Sequence, residues 1–305
     1  MLYTIVDLGS NTIRLCIYEN KEEKITSLFE KKTMAGLVNF IVNDKLSDKG
    51  ITRTCDILNE YDQILRNFNI EKKDVYVFAT ASLRNISNSK DVLDIIKEDT
   101  GYNIELLSGE EEAILDFKGA TRIVDNPTGL LVDIGGGSTE IVGYKDKEIL
   151  FAVSMPVGSL NMYVKFVKKI IPKAHEREEI RAYVLDHIKQ LNMKKDIYTS
   201  ICGVGGTIRA AGKLSHHMLK EGKVLVSNSK AFKVSDVKEI LEEINNSHKK
   251  TLKPVLQNIP DRIHTIIPGI LILETISDYF QCEEITVSKY GIREGYLYEK
   301  VLNKG

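Results

Sequence analysis

Asp133 and Glu140 bracket the run Gly135-Gly136-Gly137-Ser138-Thr139. Glycines permit φ > 0 and place no side chain between backbone N–H groups and an approaching ligand. Successive N–H groups in such a turn form an anion-binding concavity, and Ser138 and Thr139 add hydroxyl donors. A carboxylate beside a bound phosphate repels it unless a cation lies between them. Mg²⁺, a hard ion that prefers oxygen ligands, is the natural companion. The competing reading of the same run is a plain tight hairpin. Two better-known glycine motifs are excluded. No Lys follows the glycines, as a P-loop requires, and Glu140 stands where the dinucleotide fingerprint needs its last glycine.

A second version of the device occurs at the start of the chain, in Asp7-Leu8-Gly9-Ser10-Asn11-Thr12. The two lie about 125 residues apart, too far for a solenoid repeat. That distance suggests two similar domains, each offering a phosphate turn to a shared cleft. A third glycine run, Gly203-Val204-Gly205-Gly206-Thr207, precedes a helical pattern, an order that aims a helix N-terminus at an anion. Ile208 spoils the dinucleotide fingerprint there. Ser108-Gly109-Glu110-Glu111 fits the S-x-x-E capping box with Glu111 at N3. Acids in a first helical turn are also favoured by the helix dipole, which accounts best for Glu111. Glu112 lies about 100° further round the helix, outside the box, and is the candidate for chemistry.

The elements that must hold these groups read as alternating strands and helices, which favours an α/β architecture. Tyr3–Val6 and Leu130–Val132 are short apolar runs of strand character, each followed by its turn and a returning strand. Ser47 starts a helix to about Asn67, Val75–Ala79 is a strand, and Ser87 or Asn88 starts a helix that Gly101 ends. Ile104–Leu107, Ile149–Ser154 and Ile285–Ser288 read as strands. Helices are expected from about Glu176 to Gln190, Ser235 to Asn246 and Pro268 to Phe280. A further helical stretch carries Lys165, Lys168 and Lys169, a solvated face or a landing strip for a long polyanion.

With 305 residues the chain is long enough for two domains. Its 43% hydrophobic and 28% charged residues are those of an ordinary globular protein. A formal net charge of −1 supplies no global field for nucleic acid or membrane. Cys16, Cys55, Cys202 and Cys282 form no C-x-x-C pair, so neither a zinc site nor a disulfide framework is expected. The N-terminus lacks the basic region of a signal peptide, no apolar run reaches membrane-spanning length, and a cytoplasmic protein is expected.

In order along the chain, Asp7 to Thr12, Ala79-Thr80-Ala81-Ser82-Leu83-Arg84, Ser108 to Ala113, Asp133 to Glu140, Gly203 to Thr207 and Gly291 to Gly295 resemble the exopolyphosphatase/guanosine pentaphosphate phosphohydrolase (Ppx/GppA) family. The resemblance covers essentially the whole chain and its short, two-domain form. It implies two ribonuclease-H-like domains of the actin/Hsp70/sugar-kinase superfamily around a central cleft. Domain I would span 1–118, with the C-terminal helix of about 296–305 packing back onto it, and domain II 119–295. Where many members carry an Arg-Leu-Gly-type segment, this chain has Ala35-Gly36-Leu37-Val38-Asn39-Phe40.

The family further implies Mg²⁺-assisted attack of water on a terminal phosphoanhydride of inorganic polyphosphate or of pppGpp, the nucleotide of the stringent response. By resemblance, Glu112 is the base. Asp133, Glu140 and Asp7 hold Mg²⁺. Gly9, Ser10, Asn11, Gly135, Gly136, Gly137, Ser138, Gly205, Gly206 and Thr207 cradle phosphates, and Arg84 clamps a phosphoryl group. Crowding by Asp133 and Glu140 is expected to raise one carboxylate pKa toward neutrality. Arg14 and Arg262 are candidates for distal phosphates or a guanosine, set against an ordinary structural role. An ATP-using kinase of the same superfamily and a non-catalytic sensor of (p)ppGpp or polyphosphate are the alternatives. A homodimer is left open, and no nucleic acid polymer or membrane partner is expected.

Overall fold

A computed structural model describes residues 1–22, 24–121, 127–191, 193, 198–219, 231–246 and 248–304. The chain divides into two compact units, Met1–Glu111 and Glu112–Gly305.

The first unit is built on β1 (Leu2–Leu8), β2 (Thr12–Lys21) and β3 (Lys24–Met34), followed by a small ribbon of β4 (Ile41–Val42) and β5 (Lys45–Leu46). Then come α1 (Asp48–Asn67), β6 (Val75–Ala79), α2 (Ala81–Arg84), α3 (Ser89–Thr100) and β7 (Ile104–Leu106). Its sheet order is β3-β2-β1-β6-β7. β1 pairs antiparallel with β2 and parallel with β6. Alternate residues of β1 and β2 enter a core with Leu58, Tyr61 and Leu65 of α1, as an amphipathic helix on a sheet requires. Gly101, in the left-handed region at φ 74°, ends α3 as the sequence predicts.

Helix α4 (Gly109–Ala120) leads to the second unit: β8 (Gly129–Ile134), β9 (Thr139–Lys145), β10 (Glu148–Met155), α5 (Ser159–Phe166), α6 (Ala174–Gln190), β11 (Ser200–Val204), α7 (Gly205–Leu219), β12 (Ala231–Lys233), α8 (Val234–Asn246), α9 (His248–Asn258), α10 (Ile266–Phe280), β13 (Glu284–Val287) and α11 (Ile292–Tyr296). Its sheet order is β10-β9-β8-β11-β13-β12. Without the antiparallel edge strand β12 this repeats the first unit: three antiparallel strands, then two parallel to the central one. Helix α10, apolar but for a polar edge with Glu274 and Asp278, is buried in the core beside Ile180, Val184 and Ile208.

Helix α5 ends at Phe166, so Lys168 and Lys169 leave the helix expected to carry them. The β-branched run Val167, Ile170 and Ile171 and the following Pro172 favour extended chain over another helical turn. Helix α4 crosses the chain end closely: a side chain on Gly119 would collide with the Gly291 carbonyl, and one on Gly295 with the Leu115 carbonyl. Two of the glycines in and beside the Gly291-to-Gly295 motif therefore serve close helix approach. Among the described residues no helix is long and apolar enough to cross a membrane.

Candidate active site

The turn between β8 and β9 is set by local forces. Gly135 N–H donates to the Ser138 carbonyl at 2.9 Å, closing a four-residue turn. Its own carbonyls are taken up by the first turn of α5. Ser159 N–H donates to Gly135 O at 2.9 Å, and Leu160 and Asn161 N–H donate to Gly136 O at 2.9 and 3.0 Å. The Asn161 side-chain amide donates to Gly137 O at 2.9 Å. Helix α5 thereby satisfies N–H groups that have no intrahelical partner. Gly135, Gly136 and Gly137 are not in the left-handed region that their sequence permits.

Strand register then places Asp133 directly opposite Glu140, on one face of the sheet. Like charges so placed destabilise a strand pair, so the arrangement is not there for stability. Glu140 is 1% exposed. It accepts a hydrogen bond from Ser154 Oγ at 2.8 Å and another from the Ser138 hydroxyl. Burial, then Glu112, then Asp133 push the Glu140 carboxyl well above the usual carboxylate range, against the pull of those two serines.

Helix α4 contributes two more acids. Its capping box forms as predicted: Glu111 N–H donates to Ser108 Oγ at 3.1 Å, and Ser108 N–H to Glu111 Oε2 at 2.9 Å. That occupies Glu111 and sets the helix rotation. Glu112 is buried at 7% exposure, and Asp116, one turn on, at 1%. Residues i and i+4 share a helix face. Burial first, then Asp133, Glu140 and Glu112, push the Asp116 carboxyl well above its usual range, and a hydrogen bond from the Ile292 backbone N–H opposes this. Asp116 also acts on Cys202 of β11, whose thiol is pushed up to about 12, mainly by burial. Four carboxyl groups from α4, β8 and β9 are therefore electrostatic neighbours. Asp116 is the one missed by the sequence reading, though its position four residues after Glu112, between apolar Leu115 and Phe117, is the signal for a buried face.

The third glycine turn closes on the same carboxylates. Gly205 has φ 78°, and a side chain there would collide with Asp133 Oδ1. A side chain on Gly206 would collide with the Arg262 guanidinium. Asp133, Gly205, Gly206 and Arg262 thus lie together where β11 passes directly into α7. Thr207, on the first turn of that helix, is 2% exposed.

In the first unit the same construction recurs. Gly9 N–H donates to Thr12 O at 3.1 Å, Ala35 and Gly36 N–H donate to Asn11 O at 3.0 Å each, and Val38 N–H donates to Ser10 O at 3.4 Å. The Ala35-to-Phe40 segment thus braces the first turn as α5 braces the second. Asp7 pairs in register with Arg14, and Arg14 Nη1 meets Glu30 Oε1 at 2.8 Å. Arg84 Nη1 donates to the Leu107 carbonyl at 3.0 Å, tying down the junction just before Ser108.

The carboxylates fit a divalent cation of the Mg²⁺ type. All donors are oxygens, and the cluster buries negative charge that only a cation or protons can offset. Among the described residues no three acidic, His or Cys groups converge as a complete cage. Mg²⁺ ordinarily takes one or two carboxylates and fills its octahedron with water and substrate phosphate, so Asp133 and Glu140 suffice as the protein's share.

Two units of one sheet order, each with its aspartate-and-glycine turn, define a class of α/β proteins built from a duplicated module. Within it, the chain belongs to the Ppx/GppA phosphatase family, whose model matches residues 16–304. It is 30% identical, over 98% of its length, to the bifunctional 3-dehydroquinate synthase/phosphatase of Fusobacterium nucleatum, covering 46% of that protein. It is 26% identical, again over 98%, to the guanosine-5'-triphosphate,3'-diphosphate pyrophosphatase of Vibrio atlanticus, covering 59%. The chain thus spans about half the length of these curated relatives. Its fold matches the crystal structure of an exopolyphosphatase from Cytophaga hutchinsonii, with TM-score 0.83, 22% identity, 99% of this chain and 98% of that one covered. It also matches the Ppx/GppA family member of Aquifex aeolicus, with TM-score 0.76, 24% identity, 100% and 99% covered.

Proposed function

We propose that the chain hydrolyses a terminal phosphoanhydride, of inorganic polyphosphate or of pppGpp, with water as the nucleophile and Mg²⁺ as the metal. The observation that carries this reading is the buried Glu112 carboxylate on α4, set among Asp133 and Glu140 beside two glycine turns. Phosphoryl transfer asks a protein for positioning and charge neutralisation more than for covalent chemistry, and these residues offer both. Mg²⁺, held by Asp133 and Glu140, neutralises phosphate charge when bound.

The rest falls to the chain itself. Backbone N–H groups of Gly136 to Ser138 and of Gly205 to Thr207 hold phosphate oxygens, and the Arg262 guanidinium, lying on Gly206, pairs with a phosphate bidentately. In the first unit the turn from Gly9 to Asn11 is a phosphate holder of the same construction. Glu112 accepts a proton from water as its oxygen bonds to the terminal phosphorus. The bridging P–O bond breaks, and the shortened chain leaves as an oxyanion. Arg84, tied to Leu107, holds the junction from which α4 starts.

Phosphate release measured side by side on polyphosphate, pppGpp and ATP with Mg²⁺ tests the proposal. Release from polyphosphate or pppGpp, without any acceptor, is the expected result. Turnover of ATP alone, and only with a phosphoryl acceptor present, overturns it in favour of a kinase.

A further inference from the structure

Between Glu148 and Glu176 the chain carries four lysines and no acid, in a protein whose formal net charge is −1. Lys165 stands near the end of α5, and Lys168, Lys169 and Lys173 lie on the loop from there to α6. All four are exposed. Among the described residues Lys168, Lys169 and Lys173 form no ion pair. Lys165 Nζ lies over the Tyr183 ring of α6, 3.8 Å from its centroid. The loop is braced from inside. Ile171 and Pro172 are buried, Glu176 accepts the Lys173 N–H at 2.8 Å and the Lys168 N–H at 3.4 Å, and Arg177 Nη1 donates to the Pro172 carbonyl at 2.9 Å. Glu176 is 2% exposed, so the first acid past the lysines is turned inward onto the loop's backbone. The next, Glu178, is paired with Arg181. A face that serves only solubility interleaves both signs of charge, and this one does not.

The lysines are continuous with the glycine turns. Helix α5 begins on the carbonyls of Gly135 and Gly136, and Lys165 follows six residues after Ser159, about 9 Å along the helix axis. Midway, the Tyr163 ring meets the His264 ring, with centroids 4.9 Å apart. His264 is two residues past Arg262, which lies on Gly206. Tyr163 and Phe166, three residues apart, share one helix face, and Lys165 Nζ is 5.4 Å from the Phe166 ring centroid. We propose that Lys165, Lys168, Lys169 and Lys173 form a distal subsite for linear polyphosphate, holding the far part of the chain while its terminal phosphate lies in the glycine turns. The subsite rests on the hydrolytic reading above and makes long polyphosphate the preferred substrate. Lysine presents a compact charge on a flexible stem, which suits a repeating phosphate chain of no fixed shape. Exposed charges are screened beyond about 8 Å at physiological ionic strength. A short anion confined to the turns is therefore out of their reach, whereas a long chain touches them directly. A loop already held in shape by Glu176 and Arg177 loses little further freedom on binding.

The test compares long-chain inorganic polyphosphate with tripolyphosphate, on the full chain and on its triple variant Lys168→Gln, Lys169→Gln, Lys173→Gln. The ratio of kcat/KM on long chains to that on tripolyphosphate is expected to fall roughly tenfold in the variant, mainly through KM. Binding of long polyphosphate is measured separately, with turnover slowed by Glu112→Gln. There the slope of log Kd against log salt should become shallower by about 2 when the three lysines are lost, at roughly 0.7 for each contact with a single-stranded polyanion. In the unaltered chain, long polyphosphate and not tripolyphosphate should protect the three lysines from chemical acetylation, read by mass spectrometry. An unchanged ratio overturns the inference. So does an equal loss on both substrates, an unchanged salt slope, or protection that is absent or the same with both anions. Should the variant not fold, the protection experiment on the unaltered chain decides by itself. If the unaltered chain releases phosphate from neither substrate, the hydrolytic reading fails alone, and protection and salt slope still decide the subsite.

Discussion

At the scale of residues, four acids, Glu112, Asp116, Asp133 and Glu140, are electrostatic neighbours. Glu112→Gln keeps the size and the capping geometry of α4 while removing the proton acceptor. We expect kcat to fall by about 10²–10⁴-fold, the usual worth of a general base, with ligand binding retained. Unchanged turnover removes Glu112 from the mechanism. Asp116 and Glu140 are both held above their ordinary range by burial and by their neighbours. The native state therefore keeps protons that the unfolded chain has lost, and each group destabilises the fold at neutral pH. That penalty shrinks as pH falls through the raised native values toward the ordinary carboxylate value of about 4. Without metal, Tm should rise as pH is lowered from about 8 toward 5, and Asp116→Asn should flatten the slope. A Tm that falls steadily over that range contradicts the arrangement. Three of the four acids were legible because each borders a glycine turn or a capping box. Asp116 carries no such flag and emerges only when the apolar residues around it are wound onto a helix.

At the scale of elements, glycine fixes how strand passes into helix. Gly205 is both left-handed and in the way of Asp133 Oδ1. Gly205→Ala must strain the backbone and displace the carboxylate. We expect a stability loss of about 1–3 kcal/mol and, measured by titration calorimetry, weaker Mg²⁺ binding. Retained affinity for the ion shows that Asp133 is not where the metal is held. The junctions past the last parallel strands are also alike: Arg84 donates to Leu107 O in one unit, and Arg209 Nη1 to Ser288 O at 3.3 Å in the other. The strands flanking each turn were readable from apolar runs that stop at an aspartate. β3 was not, because Glu30, Lys31 and Lys32 on an edge strand hide its alternation. α9 was not either, because it continues through Pro254, which sequence rules take as a stop.

At the scale of the molecule, each of the two large sheets carries its own principal hydrophobic core among the described residues. One gathers Ile17, Leu58 and Tyr61, the other Leu130, Ile201 and Ile270. Heat unfolding is expected to give a calorimetric enthalpy larger than the van't Hoff value, the mark of more than one cooperative block. Leu58→Ala and Ile201→Ala, each costing about 2–5 kcal/mol, should lower different transitions in the scan. A single transition moved equally by both contradicts this. The repeated turn announces the duplication in the sequence. The point of division is hidden, because α4 reads as one uninterrupted helix while contacts separate Glu111 from Glu112. The two halves differ at one rung. Where the second half sets Glu140 across from Asp133, the first sets Arg14 across from Asp7. If the halves descend from one ancestral module, that module has since become electrically lopsided. One rung offers two carboxyl groups and the other a carboxyl beside a guanidinium, so the two halves no longer present the same set of donors.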